Sequence, residues 1–119
     1  MTESEARIVE AMRTLIEANR EVRDVLVAAE RALEHGIESI EAGTKITDTL
    51  RTSSAAPQRR ATQEAFERAI AARHELRLRV ISVCRDEGIR PWEIAKWWGI
   101  SRQRVDRYIQ ELKKDAPDG

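Results

Sequence analysis

Four side chains with planar hydrogen-bonding ends, Gln103, Arg104, Arg107 and Gln110, stand close together near the end of this chain. A guanidinium can donate twice to guanine, and a glutamine amide can pair with adenine. At helical spacing Gln103, Arg107, Gln110 and Lys114 fall on one stripe, flanked by Arg102 and Arg104. Opposite that stripe Val105, Tyr108, Ile109 and Leu112 share a narrow apolar arc. The chemistry on offer is recognition by a helix that is buried along one side and donor-rich along the other. The spacing makes Gln103 and Arg107 the expected base-edge readers, with Arg104 and Gln110 as secondary contacts. Ser101, Arg102, Lys113 and Lys114 suit phosphate, since backbone N–H groups also point outward at a helix start.

These residues need elements to hold them. The stretch Pro91–Gln110 reads PWEIAKWWGISRQRVDRYIQ, two short helices joined at Gly99-Ile100-Ser101. In the first helix Ile94, Ala95 and Trp98 share a face, and the small Ala95 suits the point where two helices cross closely. Gly99 permits the left-handed backbone that turns the chain. Ile100 plugs the corner, and Ser101 is a natural N-cap for the second helix. Pro91 fits the first position of a helix and Glu93 an early turn. Trp98 points inward, whereas Trp92 and Trp97 lie about 100–120° off the core direction at 100° per residue. Either they pack on a neighbouring helix or they form a contact site for another surface, with Trp97 the stronger partner candidate.

This pattern resembles the helix-turn-helix of bacterial and phage DNA-binding proteins. The run Glu93-Ile94-Ala95, followed by Gly99 to Val105, is similar to versions in phage-type regulators and in region 4 of sigma factors. The resemblance covers residues 64–114. It implies a second helix lying in a DNA major groove, with double-stranded DNA as the partner.

Charge supports that placement. The net charge is zero, but residues 1–58 hold seven Lys/Arg against eleven Asp/Glu, and residues 59–119 hold fourteen against ten. The basic half carries the motif, as a phosphate-facing surface requires. Catalysis finds little support: no glycine-rich phosphate loop is present, and the carboxylates are spread over helix surfaces. The one cysteine, Cys84, excludes an internal disulfide and reads as a small core residue. With two distant histidines, His35 and His74, it makes no usual zinc site, and no cofactor is expected. No run of about 18 apolar residues suggests a membrane span. The acidic N-terminus is unlike a secretory signal, so a cytoplasmic protein is expected.

Proline, glycine and aromatic residues are scarce, and no stretch alternates with period two, so the expected fold is all-α. Over residues 4–34 a heptad seam runs without a break. Ile8, Leu15, Val22 and Ala29 hold one register; Met12, Asn19, Leu26 and Leu33 hold the other. A lone Asn there can fix register and oligomeric state. Two packings fit, one within a single chain and one across two chains. The flanking Val9, Ala11, Ile16, Ala18, Val25 and Ala32 make the face too wide for one partner helix, which favours a small bundle over a bare coiled coil. His35-Gly36 is expected to end this helix. A second helix over 37–51 then completes a hairpin, with Gly43 a weak point at its middle. Thr52–Arg60, interrupted by Pro57, reads as a linker. A third helix over 62–87 buries Phe66, Ala69, Ile70, Val80, Ile81 and Cys84, with His74 on or near that stripe as a packed residue, and Gly88 ends it.

The expected organisation is a helical dimerisation or interaction module at 1–51, a linker at 52–60, a helix-turn-helix module at 61–114 led by a long helix, and a flexible tail at 115–119. Ile8, Met12, Leu15, Asn19, Val22, Leu26, Leu33 and Trp97 are the interface candidates. The function this points to is a homodimeric, sequence-specific transcriptional regulator. The alternatives are an adaptor that grips RNA polymerase or another regulator, and an architectural nucleoid-type DNA binder.

Overall fold

The computed structural model describes residues 1–115. It is all-α: α1 (Glu3–Glu41), α2 (Ile46–Arg51), α3 (Ala55–Asp86), α4 (Pro91–Trp98) and α5 (Arg102–Asp115). Two compact units form, and each draws on both long helices. One comprises residues 1–14 with 72–119; the other comprises residues 15–71.

In the unit of residues 15–71, α1 and α3 pack antiparallel. Arg68 Nε donates to Glu21 Oε2 at 3.1 Å, and its terminal nitrogen donates to the other carboxylate oxygen. Gln58 Nε2 donates to the Val25 carbonyl at 3.0 Å. A step up α1 from residue 21 to 25 is thus a step down α3 from 68 to 58. Ala18 and Ala65 are buried along this contact. Small side chains let the two backbones come close enough for a glutamine to reach a helical carbonyl.

The sequence places the first helix end wrongly. α1 runs straight through Gly36 and stops at Gly43, whose φ is 97°. There Gly43 N–H donates to the Ile40 carbonyl and Thr44 N–H to the Ser39 carbonyl, both at 3.0 Å. This paired arrangement satisfies carbonyls that the helix end would otherwise leave open. Gly36 falls on the same stripe as Ala18 and Ala29, where a missing side chain costs little packing. The hairpin expected over 1–51 is therefore replaced: α2 is a short turn of helix, and α3 is the helix that pairs with α1.

The expected linker shrinks for a related reason. Pro57 lies in the first turn of α3, where its missing N–H has no helical partner to lose. Residues 55–60 are helical, and only 52–54 separate α2 from α3. Phe66 and Ile70, expected in the core, are exposed. The small residues of α3 take the contact with α1, and the two larger ones lie about a quarter turn or more away. Of the expected tail, Asp115 ends α5, and residues 116–119 lie outside the described residues.

The unit of residues 1–14 and 72–119 holds the main core. Leu78 and Ile81 of α3, Ile94 and Ala95 of α4, and Val105, Tyr108 and Ile109 of α5 form one cluster. Cys84, Ile89, Trp98, Ile100 and Leu112 close its edges. The start of α1 belongs to this unit as well. Thr2 Oγ1 accepts from Glu5 N–H at 3.1 Å, and the Glu5 carboxylate accepts from Thr2 N–H at 3.2 Å. That reciprocal cap fixes where α1 begins. Among the described residues no helix is long and apolar enough to cross a membrane.

Candidate nucleic-acid interface

The turn between α4 and α5 is built as its residue types require. Gly99 takes φ 67° and ψ 32° and ends α4. Its N–H donates to the Ala95 carbonyl, and Ile100 N–H donates to the same oxygen at 3.2 Å. Ser101 Oγ accepts from Arg104 N–H at 3.1 Å, which caps α5. Ile94 and Val105 are fully buried on either side of the turn, and Ala95 is buried at the crossing. The angle between the two helices is thus held by apolar packing and by backbone hydrogen bonds.

That frame turns one face of α5 outward. Gln103, Arg104, Arg107 and Gln110 are all exposed, as are Ser101, Arg102, Lys113 and Lys114. A helix of 14 residues spans about 21 Å, and a major groove about 12 Å wide admits one. The eight residues singled out as DNA contacts lie on this one helix and its cap. Ser101 has a structural duty too: its oxygen already accepts a backbone hydrogen bond, leaving its O–H free to donate.

A polar brace holds α5 from behind. Glu111 of α5 holds His74 Nε2 of α3 with its two carboxylate oxygens at 2.8 and 3.0 Å. Arg77 Nη1 donates to the Tyr108 hydroxyl at 3.2 Å. The His74 and Tyr108 rings lie 5.0 Å apart at 39°. His74 is half-buried, as a packed residue should be, but its partner lies 37 residues away on another helix, and no local pattern signals such a pair. Cys84 is half-buried against the core, and burial, with the nearby Glu87 charge, pushes its thiol up. A thiol held in that state is a poor nucleophile. Among the described residues no group of His, Cys, Asp or Glu is arranged to hold a metal ion.

The tryptophans separate cleanly. Trp98 closes the core, whereas Trp92 is 48 % and Trp97 67 % exposed. About half of Trp92 and two thirds of Trp97 stay open, so packing within the chain does not use up either ring. The interface candidates on α1 divide by register. Ile8, Leu15 and Val22 are half-buried by their own chain, while Met12, Asn19, Leu26 and Leu33 are exposed.

No curated protein and no solved structure matches the chain. Residues 71–119 match the family model of the homeodomain-like domain, which takes in the end of α3, α4 and α5. This part of the chain is a homeodomain-like helix-turn-helix domain.

Proposed function

We propose that this chain is a sequence-specific, DNA-binding transcriptional regulator that works in the cytoplasm as a homodimer. The observation that carries the reading is the outward stripe of α5. Gln103, Arg107 and Gln110 are exposed together on the second helix of a domain of a DNA-binding, non-enzymatic kind. In this reading Gln103 and Arg107 meet base edges, and Arg104 and Gln110 lie beside them. Ser101, Arg102, Lys113 and Lys114 hold the phosphates on either flank. One such helix reads few bases, so two copies related by a two-fold would read a palindrome with half-sites about one helical turn apart, or a multiple of it.

Selection from random DNA tests this directly, with binding of the winners repeated at two salt concentrations. An enriched palindrome supports the paired reader. A steep salt dependence without enrichment would instead mark an architectural binder, a reading that zero net charge disfavours. The exposed Trp97 favours one second reading, an adaptor that grips a protein such as RNA polymerase through α4. RNA polymerase capture that is lost in Trp97→Ala, by a chain that selects no DNA, would establish the adaptor in place of the reader.

A further inference from the structure

The α1 surface left open by α3 has a pattern of its own. Within residues 15–41, Leu26, Leu33 and Ile37 lie on one stripe about a quarter turn from the buried alanines, and Ile16 stands at its far edge. Each is exposed, from 40 % at Leu26 to 69 % at Leu33. Large apolar side chains left open along one helix face are the raw material of an interaction surface. Asn19 and two charges, Arg23 and Glu30, interrupt the stripe, the charges seven residues apart. Both are exposed, and neither joins an ion pair among the described residues.

Building on the reading of a paired DNA binder, we propose that α1 packs antiparallel against α1 of a second copy, with the two-fold axis close to Leu26 and Val27. The charges select this arrangement. About that axis Arg23 stands beside Glu30 of the partner subunit, and Glu30 beside Arg23 of the partner subunit. Ile16 meets Ile37 of the partner subunit in the same way. A parallel pair in register would set Arg23 against Arg23 and Glu30 against Glu30, two like-charge contacts inside one seam. A two-fold surface must complement itself, and this stripe does so in one direction only. Its apolar residues expose on the order of 400 Å² per copy, about half of the ~800 Å² that each partner brings to a standard interface.

Sedimentation of the full chain without DNA, at micromolar concentration, tests the pairing. The natural sequence is expected to be a dimer. Arg23→Glu alone, or Glu30→Arg alone, should weaken dimerisation at least ~10-fold, the effect of 1.4 kcal/mol, with helicity by circular dichroism unchanged. The double variant Arg23→Glu/Glu30→Arg should regain the dimer, and the two single variants should form a mixed dimer when combined. A monomeric natural chain overturns the proposal. So do single variants that stay fully dimeric, or a double variant no better than either single one. The DNA reading fails separately: a chain that dimerises as described but selects no DNA sequence would sink that reading and leave the pairing intact.

Discussion

Arg107 sits at the middle of the exposed stripe on α5, with no ion-pair partner among the described residues. A guanidinium free to lie flat can donate twice to one guanine, so Arg107→Ala should cost about 1–3 kcal/mol of binding and relax preference at one base position. Binding arrays over all single-base changes of the selected site would show this. Uniform weakening at every position would reassign Arg107 to phosphate. At the other end of the chain, Glu21 illustrates a residue effect of a different kind. The hydrogen bond from the Arg68 guanidinium, with its charge, holds the Glu21 carboxyl below the usual carboxylate range. A carboxyl lowered by folding adds stability that is complete above its unfolded pKa of about 4.3. That contribution drains away as pH falls through the lowered value. Glu21→Gln should therefore flatten the acid side of the melting curve against pH and leave its slope near neutrality unchanged. An unaltered acid slope would show that the pair does not survive in solution.

Glycines decide the ends of the elements, and only some of them were readable in advance. Gly99 stands between an apolar helical face and a capping serine, and that context announces a turn. Gly36 follows a histidine at the apparent end of a heptad run and looks equally terminal, yet α1 passes through it. The difference lies downstream. Glu38, Ser39 and Ile40 continue the helix, and the double hydrogen bond at Gly43 and Thr44 ends it. Those are tertiary and backbone facts that hydrophobic spacing does not encode. The same limit explains Phe66 and Ile70, whose size suggested burial while the neighbouring alanines took the contact. The α5 stripe was legible because its apolar arc and its polar face both follow from one wheel. The His74–Glu111 brace was not, because it joins two helices. The glycines supply a sharp check. An interior helical glycine costs about 0.5–1 kcal/mol relative to alanine, and a Cβ at Gly36 meets nothing within 4 Å. Gly36→Ala should raise stability by that amount. Gly43→Ala should lower it by a similar amount, since φ 97° strains any side chain. Thermal melts of the two variants that moved in the same direction would contradict this assignment of the helix end.

At the scale of the whole molecule, the order of the chain and the order of the fold differ. A division into residues 1–51 and 61–114 is natural in the sequence, yet the first fourteen residues belong to the compact unit that also contains the helix-turn-helix domain. Ala11 is buried and Ile8 half-buried. Arg7, Ala11 and Thr14 line a groove with Ala72, Glu75 and Arg79, and Ser4 and Arg7 line another with Leu78, Ser82 and Leu112. The homeodomain-like domain is thus flanked by a helical segment from the opposite end of the chain. Only Ile81, Ile94 and Val105 of its core are large and fully buried, and a small core leans on every added contact. A fragment of residues 61–119 should therefore still fold as α3–α5 but melt below the same domain in the full chain. Each side chain of α1 that is withdrawn from the contact removes apolar burial worth about 25 cal/mol per Å², so the deficit should reach one to a few kcal/mol by that count. Amide exchange at Val105 and Ile109 reads the domain alone in both contexts and avoids the confusion of global melting. Equal protection of those two amides in the fragment and in the full chain would mean that residues 1–14 lie beside the domain without stabilising it. Faster exchange in the fragment, reversed by adding a peptide of residues 1–14, would show that the start of α1 is a stabilising part of the helix-turn-helix unit.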